Sequence, residues 1–214
     1  MQILCIGDSN TWGYNPENGL QHKNRWTRIL AERMPEDEII EEGMCGRTLL
    51  SVDSFDASWC GIEALPGIIA AHRTADVVIL MLGTNELKSD FGGGAAYIAK
   101  GIERFLEMLQ TLHSWEGEQI PQLLVVSPIL LGDDIVGKGG ICADFDETSL
   151  EQSKLMARAI SKVCEKYNVE FMDGAEYAKA SLKDAIHMDE KNHEKLGKAI
   201  YNKLQEMLEC KGIF

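Results

Sequence analysis

The sequence predicts an α/β protein: a three-layer α/β/α sandwich around a five-stranded parallel sheet. Two observations lead there. Five short apolar runs alternate with five segments of helical period, and alternating β and α segments pack as a parallel sheet wrapped by helices. The third run, residues 76–82 (DVVILML), is apolar without alternation, as a strand covered on both faces must be.

Each element follows from local pattern. Residues 2–6 (QILCI) read as a short buried strand, and residues 24–34 carry Trp26, Ile29, Leu30 and Arg33 at helical spacing. Residues 38–41 form a weaker strand. Residues 62–72 read as a helix in which Pro66 must sit in the first turn or break the run. After the strong strand, residues 95–113 show a clear 3.6-residue period, and residues 122–127 (QLLVVS) form a buried strand stopped by Pro128. Residues 146–167 are a long amphipathic helix and residues 169–172 (VEFM) the last strand. Residues 190–209 close the chain as a helix, with Leu196, Ile200, Leu204 and Leu208 four apart. Right-handed crossovers put the carboxyl ends of all strands on one edge, and ligands of such sheets bind beyond that edge.

Composition narrows the function. The 214 residues suit one domain, 1–214. Apolar residues make up 45% and charged residues 26%, as in ordinary globular proteins. A net charge of −13 argues against nucleic acid and anionic membrane surfaces, which need a basic patch. The opening MQILCIGDSN lacks a basic region before its apolar run, and no stretch approaches the ~20 apolar residues of a membrane span. The six cysteines (5, 45, 60, 142, 164 and 210) form no C-x-x-C pair, so a reduced cytoplasmic protein is expected. Cys5 and Cys164 belong to apolar patterns, and Cys45 is expected to be packed.

Three strand ends pair glycine with small polar residues. They are Gly7-Asp8-Ser9-Asn10, Gly43-Met44-Cys45-Gly46 and Gly83-Thr84-Asn85-Glu86. Ordinary βα turns and helix caps use the same residue types, but three on one edge converge in space. Asp184 and His187, three apart, can lie side by side on a helical turn. Asp184 would hold the His187 ring in one tautomer while its other nitrogen faces Ser9, as in a nucleophile–base–orienter triad. Asp8 reads as a turn or cap residue. Of the other histidines, His22 reads as loop surface, His72 and His113 as helix-end residues, and His193 as structural at the start of the last helix. His193 is the spare candidate for the base, but only His187 has an aspartate three residues earlier.

These blocks resemble the SGNH (GDSL) hydrolase superfamily. G-D-S stands at 7–9, the second-block glycine matches Gly46 in EEGMCGRT, G-T-N-E stands at 83–86 and D-A-I-H at 184–187. The blocks span nearly the whole chain, and the opening GDSNTWGY is similar to the bacterial arylesterase and perhydrolase branch. The resemblance implies a flavodoxin-like sheet, with Ser9 as nucleophile, His187 as base and Asp184 as its orienter. It implies an oxyanion hole from the backbone N–H of Ser9 and Gly46 and the side-chain amide of Asn85. One departure stands in the second block, where Glu41-Glu42-Gly43 replaces the asparagine common in the family.

Trp12 and Ile186 are candidates for the pocket wall, since pockets are mostly apolar and aromatic; Trp12 and Tyr14 also suit plain packing. Trp59, in the 51–61 loop, is a candidate subunit contact. The glycine-rich loop 132–144 is a rim, an oligomer contact or idle surface. No metal-ligand spacing, phosphate loop or G-x-G-x-x-G is present, so no metal or cofactor is expected. The expected function is hydrolysis of short acyl esters (aryl esters, acetylated sugars or acyl thioesters) through an acyl-Ser9 intermediate, with perhydrolysis as a side activity. A homo-oligomer is implied by the family branch. The competing expectation is a non-catalytic, flavodoxin-like module binding FMN or another small ligand at the same edge.

Overall fold

The computed structural model describes residues 1–116 and 120–210, with side chains outside 113–116 and 210. The strands are β1 (Gln2–Gly7), β2 (Glu38–Gly43), β3 (Val77–Met81), β4 (Gln122–Ser127) and β5 (Glu170–Asp173). All pair in parallel, in the order β2-β1-β3-β4-β5. The order reverses between β1 and β3, which makes the carboxyl ends of those two strands the crevice of the sheet. The helices are α1 (Ser9–Trp12), α2 (Trp26–Arg33), α3 (Gly61–Ala71), α4 (Gly94–Glu116), α5 (Glu147–Tyr167) and α6 (Glu190–Cys210).

The sheet separates two apolar layers, because successive strand side chains point to opposite faces. On β1, Leu4 and Ile6 join α3, α4 and α5 through Leu65, Ile98, Phe105, Met156 and Ile160. Ile3 and Cys5 face the other way, toward Trp26 and Leu30 of α2 and Leu196, Ile200 and Leu204 of α6. The continuous apolar run of β3 divides likewise: Val78 and Leu80 on one face, Val77, Ile79 and Met81 on the other. Each fully buried leucine or isoleucine contributes roughly 1.5–3 kcal/mol. Burial pushes the thiols of Cys5 and Cys164 up, the latter to about 12, as expected of inert core cysteines.

Several boundaries differ from expectation for local reasons. β2 runs on to Gly43 because its register with β1 continues from Gln2↔Glu38 to Gly7↔Gly43. Pro66 neither starts nor breaks α3 but sits inside it. α5 starts with reciprocal bonds: Ser149 N–H donates to Asp146 Oδ1 (2.8 Å), and Asp146 N–H donates to Ser149 Oγ (3.1 Å). Asn168 then ends it in the left-handed region, at φ 52°. The expectation for His113 concerns a side chain outside the described residues. Among the described residues, no helix is long and apolar enough to cross a membrane.

Candidate active site

The chain turns abruptly after β1. Asp8 accepts a hydrogen bond from Asn10 N–H (2.9 Å) and caps α1, a single helical turn that begins at Ser9 and was not anticipated from the sequence. Gly7 is required there: a Cβ would lie 2.0 Å from Thr11 Oγ1 and 2.8 Å from the Met81 carbonyl of β3. Asp8 is buried, which pushes its carboxyl up to about 6 against the pull of the Asn10 N–H and the nearby His187 and Arg47.

Ser9, His187 and Asp184 form one hydrogen-bonded series. His187 Nε2 is 2.8 Å from Ser9 Oγ, and His187 Nδ1 is 2.6 Å from Asp184 Oδ2. All three residues are buried, with Ser9 7% and His187 5% exposed. Asp184 Oδ1 accepts from the N–H groups of Ile186 (3.0 Å) and His187 (2.9 Å). Burial works against the Asp184 charge, but the bonds from the His187 ring and these two N–H groups hold its carboxyl below the usual range. The segment is not the helical turn expected. Ala185 sits at φ 61°, so Asp184 and His187 meet across a tight non-helical loop closed by the aspartate.

The loop 132–144 is not idle. It supports the aspartate: the Cys142 thiol donates to the Asp184 carbonyl (3.0 Å), and Gly132 N–H to the Ala185 carbonyl (2.8 Å). On the other side, Ser181 N–H donates to the His187 carbonyl (2.7 Å).

Gly46 and Asn85 stand on the adjacent loops. Gly46 adopts φ 81°, and a Cβ there would lie 2.8 Å from the Trp59 ring. Trp59, considered a subunit contact, therefore presses on Gly46 within its own chain. Asn85 Nδ2 donates one hydrogen to the Arg47 carbonyl (2.9 Å), which leaves its second N–H available. The backbone N–H groups of Ser9 and Gly46 have no protein acceptor among the described residues. Arg47 is buried and donates to the carbonyls of Gly7 and Glu42, tying the ends of β1 and β2. Glu86 accepts from the N–H groups of Leu49 and Leu50, and burial pushes its carboxyl up to about 7.

The remaining candidates fall into place. Trp12 is half-buried, and its carbonyl accepts from Gln21 Nε2. Ile186 is buried and belongs to the apolar core cluster with Leu131, Ile135 and Phe145. Tyr14 packs its ring on that of His187, with centroids 4.4 Å apart. His72 ends α3 beside Glu42 at 2.9 Å. His22 is a correction: it is buried, not on the surface, and meets His193 edge-on with centroids 5.2 Å apart. His193 accepts the Trp26 N–H at 3.4 Å through Nδ1, and burial beside His22 lowers its pKa to about 3. Cys45 is half-buried, and burial together with the Asp8 charge raises its thiol to about 11, far from a reactive thiolate. Among the described residues, no group of three or more His, Cys, Asp or Glu could hold a metal ion.

A hydroxyl, an imidazole and a carboxylate in series can draw a proton from oxygen and return it. Asn10, Tyr14, Arg47, Glu86, Trp59 and Cys142 were not given these contacts by sequence reasoning. Asn10 and Glu86 stand inside the motifs, so adjacency was the available signal. Arg47, Trp59 and Cys142 act through the fold, and no spacing announces them.

Comparison with known proteins identifies the fold and the family. The fold matches a carbohydrate acetylesterase family member from Sinorhizobium meliloti at 30% identity and TM-score 0.89, covering 97% of this chain and 98% of that one. It matches the native aryl esterase of M. smegmatis at 32% identity and TM-score 0.88, over 96% and 98% of the two chains. No curated protein matches the sequence. The GDSL-like lipase/acylhydrolase family model matches residues 5–195, and the chain belongs to that family.

Proposed function

We propose that this chain is a serine esterase that cleaves short acyl esters through an acyl-Ser9 intermediate. The observation that carries the reading is the continuous series Ser9 Oγ–His187 Nε2 (2.8 Å) and His187 Nδ1–Asp184 Oδ2 (2.6 Å). His187 takes the Ser9 proton as Oγ attacks the ester carbonyl carbon, and the carbonyl electron pair moves onto oxygen. That oxyanion meets three donors: the backbone N–H of Ser9, the backbone N–H of Gly46 and the free amide N–H of Asn85. The tetrahedral intermediate collapses, the alcohol leaves with the proton from His187, and the acyl group stays on Ser9. Water, deprotonated by His187, then repeats the attack and releases the acid.

Asp184 stays ionised, fixes the tautomer with the proton on Nδ1 and stabilises the imidazolium. The lowered pKa of its carboxyl fits that duty. Tyr14 packs against the imidazole with the two rings tilted by 40°, which limits the positions the ring can take.

Aryl and acetylated-sugar esters are the substrate classes the reading favours, because structures of this fold at about one-third identity include an aryl esterase and a carbohydrate acetylesterase. Hydrogen peroxide in place of water would give a peracid by the same steps. A homo-oligomer that narrows the entrance, and a cytoplasmic setting, complete the proposal; a monomeric mass in light scattering would remove the oligomer. The decisive test is labelling with a fluorophosphonate. Wild type is expected to label and Ser9→Ala to remain unlabelled; equal labelling of both, or none of wild type, overturns the reading.

A further inference from the structure

The 51–61 loop carries one residue out of keeping with its setting. Among the described residues of the segment 52–58, Asp53 alone is buried, at 6% exposure, while Val52 and Phe55 stand at 61% and 91%. A carboxylate leaves water only against a partner. Asp53 Oδ1 accepts from the Phe55 N–H (2.9 Å), which closes the turn, and Oδ2 faces Lys88 Nζ at 3.3 Å. The lysine reaches over from the loop after β3, and its own side chain is only 16% exposed.

Lys88 lies where parts of the site meet. Its backbone N–H donates to the Asn85 carbonyl (3.2 Å), closing the short turn that carries Asn85. Its ammonium stands 5.8 Å from the centroid of the Trp59 ring and 5.9 Å from that of Phe91, within reach of cation–π attraction. The Trp59 ring in turn lies against Gly46. Thr48 N–H donates to the Trp59 carbonyl (2.9 Å) and fixes the backbone at that end of the loop. Asp144 Oδ2 is also 3.8 Å from the ammonium, but it is largely exposed and such a pair contributes little.

We propose that Lys88 is a positioning residue for the oxyanion hole. Its pair with Asp53 draws the 51–61 loop inward and seats Trp59 against Gly46, so that the Gly46 N–H and the Asn85 amide keep one spacing. The inference rests on the reading of Ser9 as nucleophile and of these two groups as oxyanion donors. Gly46 has no side chain of its own to brace its left-handed backbone. The Trp59 ring supplies that brace, and a peptide that swings away from it turns its N–H off the oxyanion. Lys88 acts through Trp59 and Asn85 and not on the ester itself.

Four variants test this: Lys88→Met, Lys88→Arg, Asp53→Asn and the double Lys88→Met/Asp53→Asn. Each is assayed with p-nitrophenyl acetate, with kcat expressed per site titrated by a fluorophosphonate and melting followed by circular dichroism. Lys88→Met is expected to lose about 10- to 100-fold in kcat, short of the roughly 10²–10³ that complete loss of one oxyanion donor costs, with KM within a few-fold of wild type. Lys88→Arg, which keeps the charge and the aromatic contact, should recover most of that rate. Asp53→Asn should lower kcat in the same direction, and the double variant should be no slower than the slower single one, because both singles break one interaction. A merely structural pair would lower the melting temperature and the number of active sites while leaving kcat per site unchanged.

Wild-type kcat per site in folded Lys88→Met overturns the proposal, as does a double variant whose loss is the product of the two single losses. Removing one partner of a buried pair strands the other charge; should Lys88→Met not fold, the double variant, which strands none, decides in its place, and wild-type kcat there overturns the proposal equally. A wild type that labels at Ser9 and turns over ester separates failure of the Lys88 brace from failure of the underlying reading; a wild type that does neither removes both.

Discussion

Replacing Asp184 with asparagine exchanges one carboxylate oxygen for a donor and leaves the side chain's shape almost unchanged. In the native loop Oδ1 accepts from two backbone N–H groups, at 3.0 and 2.9 Å, and Oδ2 faces His187 Nδ1 at 2.6 Å. An asparagine that keeps its oxygen on the two backbone donors must point its NH₂ at Nδ1. The imidazole then accepts there, carries its proton on Nε2, and cannot take the proton of Ser9. The opposite flip restores the useful tautomer but aims the NH₂ at two buried N–H groups. Leaving two buried donors unpaired costs about 1–3 kcal/mol each, or roughly 2–6 kcal/mol together. At about 1.36 kcal/mol per tenfold, the active tautomer should be depleted by roughly 30-fold to 10⁴-fold. The upper end coincides with the ~10⁴ loss known for this substitution in serine proteases. The assay is kcat/KM for p-nitrophenyl acetate on protein shown to be folded. Asp184→Asn within a few-fold of wild type would refute the assignment of Asp184 as the group that orients His187.

Three further outcomes follow from the same geometry. Asn85→Ala removes a candidate oxyanion donor and should lower kcat by about 10²–10³; a change confined to KM would assign Asn85 to ground-state binding instead. Gly46→Ala meets both the left-handed backbone and the Trp59 ring, so it should lower the melting temperature and activity together, and an unchanged melting curve would contradict that packing. Stability should also fall as pH drops below about 6.5, because unfolded His193 takes a proton that the buried side chain, with its pKa near 3, refuses. The native state binds fewer protons between those values, so stability is fully present above the unfolded pKa and is lost at about 1.4 kcal/mol per pH unit. Asp8 and Glu86, raised to about 6 and 7, contribute in the opposite direction as they ionise. The contribution of His193 is therefore read as the difference between wild type and His193→Gln in urea unfolding at pH 4–7, and parallel curves would exclude it.

Much of this protein is legible in one dimension. The unbroken apolar run of β3 demands cover on both faces, and the four-residue spacing of Leu196, Ile200, Leu204 and Leu208 demands a helix, whatever surrounds them. The motifs at Ser9, Gly46, Asn85 and His187 are equally local, because turns, caps and close backbone approach restrict residue type at single positions. Where local rules were stretched, expectation failed. The proximity of Asp184 and His187 was expected from helical spacing, yet it arises in a loop with Ala185 in the left-handed region. His22 looked exposed because a polar residue in an irregular segment usually is, whereas a second histidine far along the chain encloses it.

The sequence by itself determined the α/β alternation, the family and the identities of the residues at the strand ends, since each is written in periodicity or in contiguous motifs. Only the tertiary structure decided how those residues meet: the strand order β2-β1-β3-β4-β5, the pressure of Trp59 on Gly46, the Cys142 bond to Asp184 and the bonds of the Asn10 side chain to the Ile186 carbonyl and the Met188 N–H. The physical reason is the range of the interactions. Propensity and turn chemistry act over a few residues, whereas the Asn10–Met188 bond spans 178 positions and exists only after the sheet has closed the distance.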